Sequence, residues 1–277
     1  MHSETMELPG GRVLSWSELG AEASENVLVH DHGTGSSRLE LAIYDDVFAN
    51  LGLRVIAPER RGYGYSTGGD EPRAVTDWPS DVEYLLHRLE VDGFAVSGFS
   101  GGGPHALSVA ESPVLGPRVS RVLLRACLAP EQPPRYAYDF EIRERAHQGS
   151  WTEFLNWFDA SRGPDLAPVD IEALADPSYA EGATATLAEA TRQGNLGAAG
   201  DQWAFARSWG FEMDRIKQPV DVWQGDADRS IPLSHAHVLA EMLPNARLHI
   251  LAGEGHLSIG RSVPKQASLL TSDEQPT

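Results

Sequence analysis

Phe94-Ala95-Val96-Ser97-Gly98-Phe99-Ser100-Gly101-Gly102-Gly103-Pro104-His105-Ala106-Leu107 is the stretch on which the reading of this chain turns. Phe94 to Val96 is a short apolar strand. Gly98 to Gly103 is a tight turn, and Pro104 to Glu111 has a helical pattern. The five residues Gly98 to Gly102 match G-x-S-x-G, a weak signal alone that gains weight from its place between strand and helix. A turn that sharp leaves no room for side chains beside the serine. Glycine at 98 and 102 lets the backbone pack while the Ser100 hydroxyl stands exposed. The helix N-terminus that follows faces any anion formed there.

The surrounding chain alternates strand and helix. Met6 to Glu18 is expected as a hairpin turning at Pro9-Gly10-Gly11. Val27-Leu28-Val29 is an apolar strand ending at His32-Gly33. From Ser37 a helical face of Leu41, Tyr44, Phe48 and Leu51 runs to a stop at Gly52. Leu53 to Ala57 is the next strand. Asp77 is expected to cap a helix with Pro79 in its first turn and Trp78, Val82, Leu85, Leu86 and Leu89 on its apolar face. Val119 to Leu128, Val220 to Trp223 and Arg247 to Leu251 are further strands. Such alternation implies a mostly parallel sheet with helices on both faces.

The rhythm breaks between about Pro130 and Phe211, where helical patterns follow one another. Ser150-Trp151-Thr152-Glu153 is a capping box opening one helix. Gly194 to Gly200 is expected to be flexible, with a helix through Trp203 to Trp209. The expected division is therefore a core of residues 1–129 and 212–277 and a helical insertion of residues 130–211.

A serine hydroxyl needs a base, and the base needs a carboxylate. Gly253-Glu254-Gly255-His256 follows the last strand and offers His256. Gly225-Asp226-Ala227-Asp228 follows the preceding strand. Asp228 lies farther out and is preferred as the acid, while Asp226 suits the turn itself. His32 is read as shaping its loop, and His105 follows the turn too closely to reach back to Ser100. His235 and His237 stand two apart on a helix and share no face. No metal site is expected from these histidines.

Composition narrows the partners. Lys and Arg total 22 against 40 Asp and Glu, a formal net charge of −18. That field repels nucleic-acid phosphates and anionic membrane surfaces. Cys127 is the one cysteine, so neither an intrachain disulfide nor a cysteine zinc site can form. It reads as a small buried core residue. No apolar run approaches the ~20 residues that span a bilayer, and the N-terminal stretch lacks a signal-peptide pattern. A cytoplasmic enzyme acting on a small molecule is expected.

The chain resembles the α/β-hydrolase family over most of its length. Four signals stand in the family's order: His32-Gly33, Gly62-Tyr63-Gly64-Tyr65-Ser66, the elbow at Ser100, and Gly225 to Pro232 with His256. The order Ser, Asp, His agrees with this fold. The resemblance implies Ser100 as nucleophile, His256 as base, Asp228 as acid, and backbone N–H groups of Thr34 and Gly101 as the oxyanion hole. It also implies a helical cap and no cofactor. Three departures stand out. Gly35 replaces a frequent proline, Glu59-Arg60-Arg61 replaces the more usual Asp-Arg-Pro, and Gly260 and Pro264 interrupt the expected C-terminal helix.

The implied activity is that of a serine esterase on a small or medium uncharged ester, thioester or lactone. Cofactor-free perhydrolase (haloperoxidase-like) and proline-aminopeptidase-like activities use the same residues. A noncatalytic binding module on the same fold is the alternative of another class. Trp151, Phe154, Trp157, Phe158, Trp203 and Trp209 are candidates to line the pocket, and their spacing suits packing equally well. Oligomeric state is not legible.

Overall fold

The computed structural model describes residues 1–130, 137–159 and 163–271. Eight strands form one sheet: β1 (His2–Glu7), β2 (Val13–Gly20), β3 (Val27–Asp31), β4 (Arg54–Pro58), β5 (Phe94–Phe99), β6 (Val119–Arg125), β7 (Val220–Gly225) and β8 (Ala246–Leu251). Their order is β1-β2-β4-β3-β5-β6-β7-β8. β1/β2 and β2/β4 are antiparallel; every later pairing is parallel. This is the α/β-hydrolase fold, with β5 near the middle and the Ser100 turn at its carboxyl end.

Period-two burial explains how both faces are covered. Val27 and Val29 of β3, Ile56 of β4 and Phe94 and Val96 of β5 face one apolar cluster. The intervening Leu28, Val55 and Ala95 face another. The first face is packed by α2 (Trp78–Arg88), α3 (Gly103–Glu111) and α9 (Leu233–Met242), the second by α1 (Asp45–Asn50) and α10 (Val263–Ser268). A strand buried on both sides must be apolar at successive positions, as these are.

Between β6 and β7 lie α4 (Ala137–Gln148), α5 (Trp151–Trp157), α6 (Pro168–Ala173), α7 (Pro177–Ala190) and α8 (Leu196–Phe205). These helices form the cap. Ser150 and Glu153 make the expected capping box, each side chain meeting the other's backbone N–H.

Several local expectations need correction. The face Leu41, Tyr44, Phe48, Leu51 does pack together, but on a 3₁₀ turn (Ala42–Tyr44) and the six-residue α1 rather than one helix. Asp77 does not cap α2; its carboxylate accepts from Ala74 N–H one turn earlier. Gly194 to Gly200 is not a flexible stretch, because α8 starts at Leu196 and ends before Trp209. Gly197 and Gly200 serve close approach instead. A Cβ at Gly197 would lie 2.6 Å from the Tyr63 ring, and one at Gly200 2.5 Å from the Arg73 guanidinium. After His256 a 3₁₀ turn (Ser258–Ser262) precedes the short α10, with Pro264 in its first turn. In sequence Thr271 to Thr277 reads as a frayed end, and beyond Thr271 it lies outside the described residues.

Phe48 is fully buried where α1 meets β2 and β4. Phe48→Ala is expected to lower unfolding free energy by about 3–5 kcal/mol. Urea titration should show the midpoint falling at unchanged slope.

Candidate active site

The Ser100 turn is built by close packing. Ser100 has φ +51°, a left-handed conformation that an L side chain seldom adopts. It starts a 3₁₀ turn (Ser100–Gly102) that runs straight into α3. A Cβ at Gly98 would lie 2.7 Å from the Gly102 carbonyl, and one at Gly102 2.0 Å from the Asp31 carbonyl oxygen. Cys127 closes the underside: its buried thiol donates to Gly98 O at 3.2 Å, and burial pushes its pKa up to about 12. It is a packing residue, as expected, just past the end of β6.

The structure brings the three expected side chains together. His256 Nε2 lies 3.1 Å from Ser100 Oγ, and its Nδ1 lies 2.9 Å from Asp228 Oδ2. Asp228 is buried and heavily bonded. Its Oδ1 accepts from Ser230 and Ile231 N–H, both at 2.8 Å, and its Oδ2 from Gln224 Nε2 at 3.0 Å. Acceptors fixed in this way leave Nδ1 as the donor and Nε2 free to accept from the serine hydroxyl. Asp226 instead receives Gly253 N–H at 2.7 Å and braces the turn, leaving Asp228 as the carboxylate bonded to the imidazole.

The loop after β3 faces the elbow. A Cβ at Gly101 would lie 2.1 Å from Thr34 Oγ1, so the two expected oxyanion residues are adjacent because position 101 has no side chain. Thr34 Oγ1 donates to Asp201 Oδ2 at 3.0 Å. Asp201, on α8 of the cap, also accepts from Tyr63 OH (2.8 Å), Arg73 Nη2 (2.7 Å), and Arg60 Nε and Nη2 (3.1 and 2.7 Å). Burial alone would raise its pKa, but Arg60 and Arg73 hold it well below the usual carboxylate range. His32 Nδ1 donates to Gly33 O while Nε2 accepts from Arg60 N–H, and burial holds its pKa down to about 3. It shapes the loop, as its position suggested.

This network accounts for two departures from the family pattern. Gly35 has φ +75° and donates its N–H to Tyr63 OH at 3.2 Å, and proline could do neither. Glu59, where Asp is more usual, reaches the cap through Arg38 to Glu189 of α7, beside Arg60, which keeps the pattern's arginine and pairs with Asp201. Beneath them Asp31 receives Trp78 Nε1 at 2.7 Å on one oxygen, while the other meets no partner among the described residues. Burial, partly offset by Arg60, raises its pKa to about 7.

Elbow and cap enclose a cavity of about 810 Å³, reached by Ser100, Gly101, Thr34 and His256. Of the six aromatic candidates only Phe158 lines it. Trp151, Phe154, Trp157 and Trp203 stack on one another inside the cap, and Trp209 packs into the main core beside Phe211. Large apolar rings gain more from mutual burial than from an open cavity. The other Phe and Tyr rings that line it are Phe99, Phe205, Tyr44, Tyr63 and Tyr179. Phe99 was identifiable as the variable residue of G-x-S-x-G; the others carried no local signal. Glu40 and Arg125, 3.5 Å apart, form a buried charged pair at the wall. No cluster of three or more metal-ligating side chains occurs among the described residues. No helix among them is long and apolar enough to cross a membrane.

A family model described as alpha/beta hydrolase fold matches residues 26–260. A non-heme chloroperoxidase of Streptomyces lividans is 29% identical over 223 residues, covering 76% of this chain and 77% of its own. Two solved structures superpose with a TM-score of 0.70. A hydrolase from Pseudomonas aeruginosa is 25% identical and covers 97% of this chain and 96% of its own. The enol-lactonase from Burkholderia xenovorans is 19% identical, with 96% of each chain covered, a likeness of fold.

Two outcomes follow from the buried charges. Asp201→Ala strands Arg60 and Arg73 and should cost about 3–5 kcal/mol in urea unfolding. Asp31 keeps its proton in the folded state up to about pH 7, whereas the unfolded chain loses it near the ordinary carboxyl value of 3.8. Its contribution is therefore full below the lower value and is lost as pH rises to about 7. Melts of Asp31→Asn from pH 4 to 8 should show the variant gaining on the parent up to about pH 7 and no further above it.

Proposed function

The chain belongs to the α/β-hydrolase fold family, and on that premise we propose that it is a serine hydrolase cleaving a small or medium uncharged ester, thioester or lactone. One observation carries this reading: Ser100 Oγ, the His256 imidazole and the Asp228 carboxylate stand in unbroken hydrogen-bonding sequence at the cavity wall. His256 Nε2 takes the Ser100 proton as Oγ attacks the carbonyl carbon. Asp228 holds the Nδ1–H tautomer and stabilises the imidazolium. The N–H groups of Thr34 and Gly101 receive the developing oxyanion, where one such donor is worth about 3–4 kcal/mol. His256 then protonates the departing alcohol or thiol. Water, deprotonated by the same nitrogen, releases the acid from Ser100.

Uncharged substrates are supported by the lining. Apart from the reacting groups the cavity wall is largely aliphatic and aromatic, and its charged members balance in number, Glu40 with Arg125 as a pair and Asp165 with Arg143. The cap of residues 130–211 would shape the acyl and alcohol sites, and the net charge of −18 disfavours polyanionic ligands. A second reading, perhydrolysis, is favoured by the relative named non-heme chloroperoxidase. There hydrogen peroxide replaces water in attacking the acyl-enzyme and a peracid leaves. A small-molecule substrate, a cytoplasmic setting and no cofactor complete the proposal.

A fluorophosphonate should label Ser100 alone, as read by peptide mapping. Turnover of p-nitrophenyl esters should fall about 10⁴–10⁶-fold in Ser100→Ala. Asp228→Asn should lose about 10⁴-fold while Asp226→Asn stays near the parent. Full turnover in Ser100→Ala would remove the mechanism. Ester panels of rising acyl length, run with water and with peroxide, separate the two readings.

A further inference from the structure

We propose that Asp170, on cap helix α6, is a positioning residue for His256, setting the imidazole's place over Ser100 from the cap side. This rests on the reading of His256 as the base. Asp170 has no exposed surface. Within its own helix it needs one bond, from Ala167 N–H to Oδ2 at 3.0 Å. Its remaining acceptor capacity goes to a segment 86 to 88 positions away. His256 N–H donates to Oδ2 at 3.1 Å, and Leu257 and Ser258 N–H donate to Oδ1 at 2.8 and 2.9 Å. Four amides thus surround the carboxylate, and no salt bridge to it occurs among the described residues.

The fit is tight on the core side too. A Cβ at Gly255 would lie 2.5 Å from both Asp170 oxygens, so the residue before His256 must leave room for this carboxylate. Tyr179 of cap helix α7 adds a bond from its hydroxyl to Leu257 O at 2.6 Å. The turn's other bonds near the imidazole are Glu254 N–H to Leu251 O at 3.4 Å, Ala227 N–H to Glu254 O at 3.0 Å, Gly255 N–H to Ser258 Oγ at 2.8 Å and Gly260 N–H to Leu257 O at 2.9 Å, and none of them holds the His256 amide. Without Asp170 three buried N–H groups beside the base lose their acceptor, and the peptide run that carries the imidazole is free to shift. Displacement of a reacting group by about 1 Å costs on the order of 10²-fold in rate.

The test is a double-mutant cycle on the full chain with a p-nitrophenyl ester. Asp170→Asn keeps the volume but turns an amide N–H₂ toward backbone donors. Its kcat should fall about 10–100-fold, with KM within about threefold. The acid limb of its kcat profile should move to lower pH as the imidazolium loses Asp228 alignment. Gly255→Ala should lower kcat similarly, because its methyl drives into the carboxylate. In the Asp170→Ala background that methyl has space, so the double variant should lose less than the product of the Asp170→Ala and Gly255→Ala single losses. Unchanged kcat in a folded Asp170→Asn, a loss confined to KM, or multiplicative losses in the cycle would each overturn the proposal. If Asp170→Asn fails to fold, Gly255→Ala alone gives the reading through kcat and the pH limb, unchanged values again overturning it. His256→Ala keeps the two readings apart: its retained activity would sink the base assignment whatever Asp170 does.

Discussion

A single backbone torsion constrains the rest of this molecule. Ser100 is held at φ +51°, a conformation that costs a non-glycine residue about 1–3 kcal/mol. It persists because β5 is clamped between β3 and β6, with Gly98 in register with Asp31 and Leu124. Gly102 then presses on the Asp31 carbonyl, so the loop carrying Thr34 springs from the same contact that bends the Ser100 hydroxyl outward. Strain at one residue is thereby converted into a fixed distance between hydroxyl and oxyanion loop.

The cap is joined to that core by buried charge. Asp201 ties α8 to Arg60, Arg73 and Thr34, and Arg38 ties Glu59 to Glu189 on α7. Buried pairs of this kind add little net stability over a well-packed apolar contact, yet breaking one side is expensive. They act as registration pins, fixing where the cap sits. Asp170 extends the same logic to the other side of the cavity, with amides in place of arginines. The Ser230 hydroxyl adds a bond to the Asp165 carbonyl, so the segment after β6 also touches the loop of Asp228. Cap placement and alignment of the reacting groups are therefore one mechanical problem.

Much of this was legible from local pattern. The strands from Val27 to Val96 show because each is apolar on both faces, and α2 shows because Trp78, Val82, Leu85 and Leu86 repeat at helical spacing. Ser100, Asp228 and His256 were legible because each sits on a loop just after a strand in the right chain order. The cap was harder. Glycines 197 and 200 suggested looseness, whereas their missing side chains admit Tyr63 and Arg73. Spacing alone left the cap tryptophans between lining a pocket and packing, and Trp151, Trp157 and Trp203 pack together.

Sequence by itself determined the fold, the alternation of elements and which three side chains, Ser100, Asp228 and His256, stand in hydrogen-bonding sequence. Periodicity and turn chemistry act over a few residues, so they can be read in order along the chain. Only the tertiary structure decided which rings face the cavity, why Gly35 and Glu59 depart from the family pattern, and that two cap carboxylates grip the loops of Thr34 and His256. Those contacts join residues 86 to 167 positions apart. A carboxylate looks the same in sequence whether it is solvated or buried; the amides and guanidinium groups that surround it exist as neighbours only after the sheet has formed and the cap has closed over it.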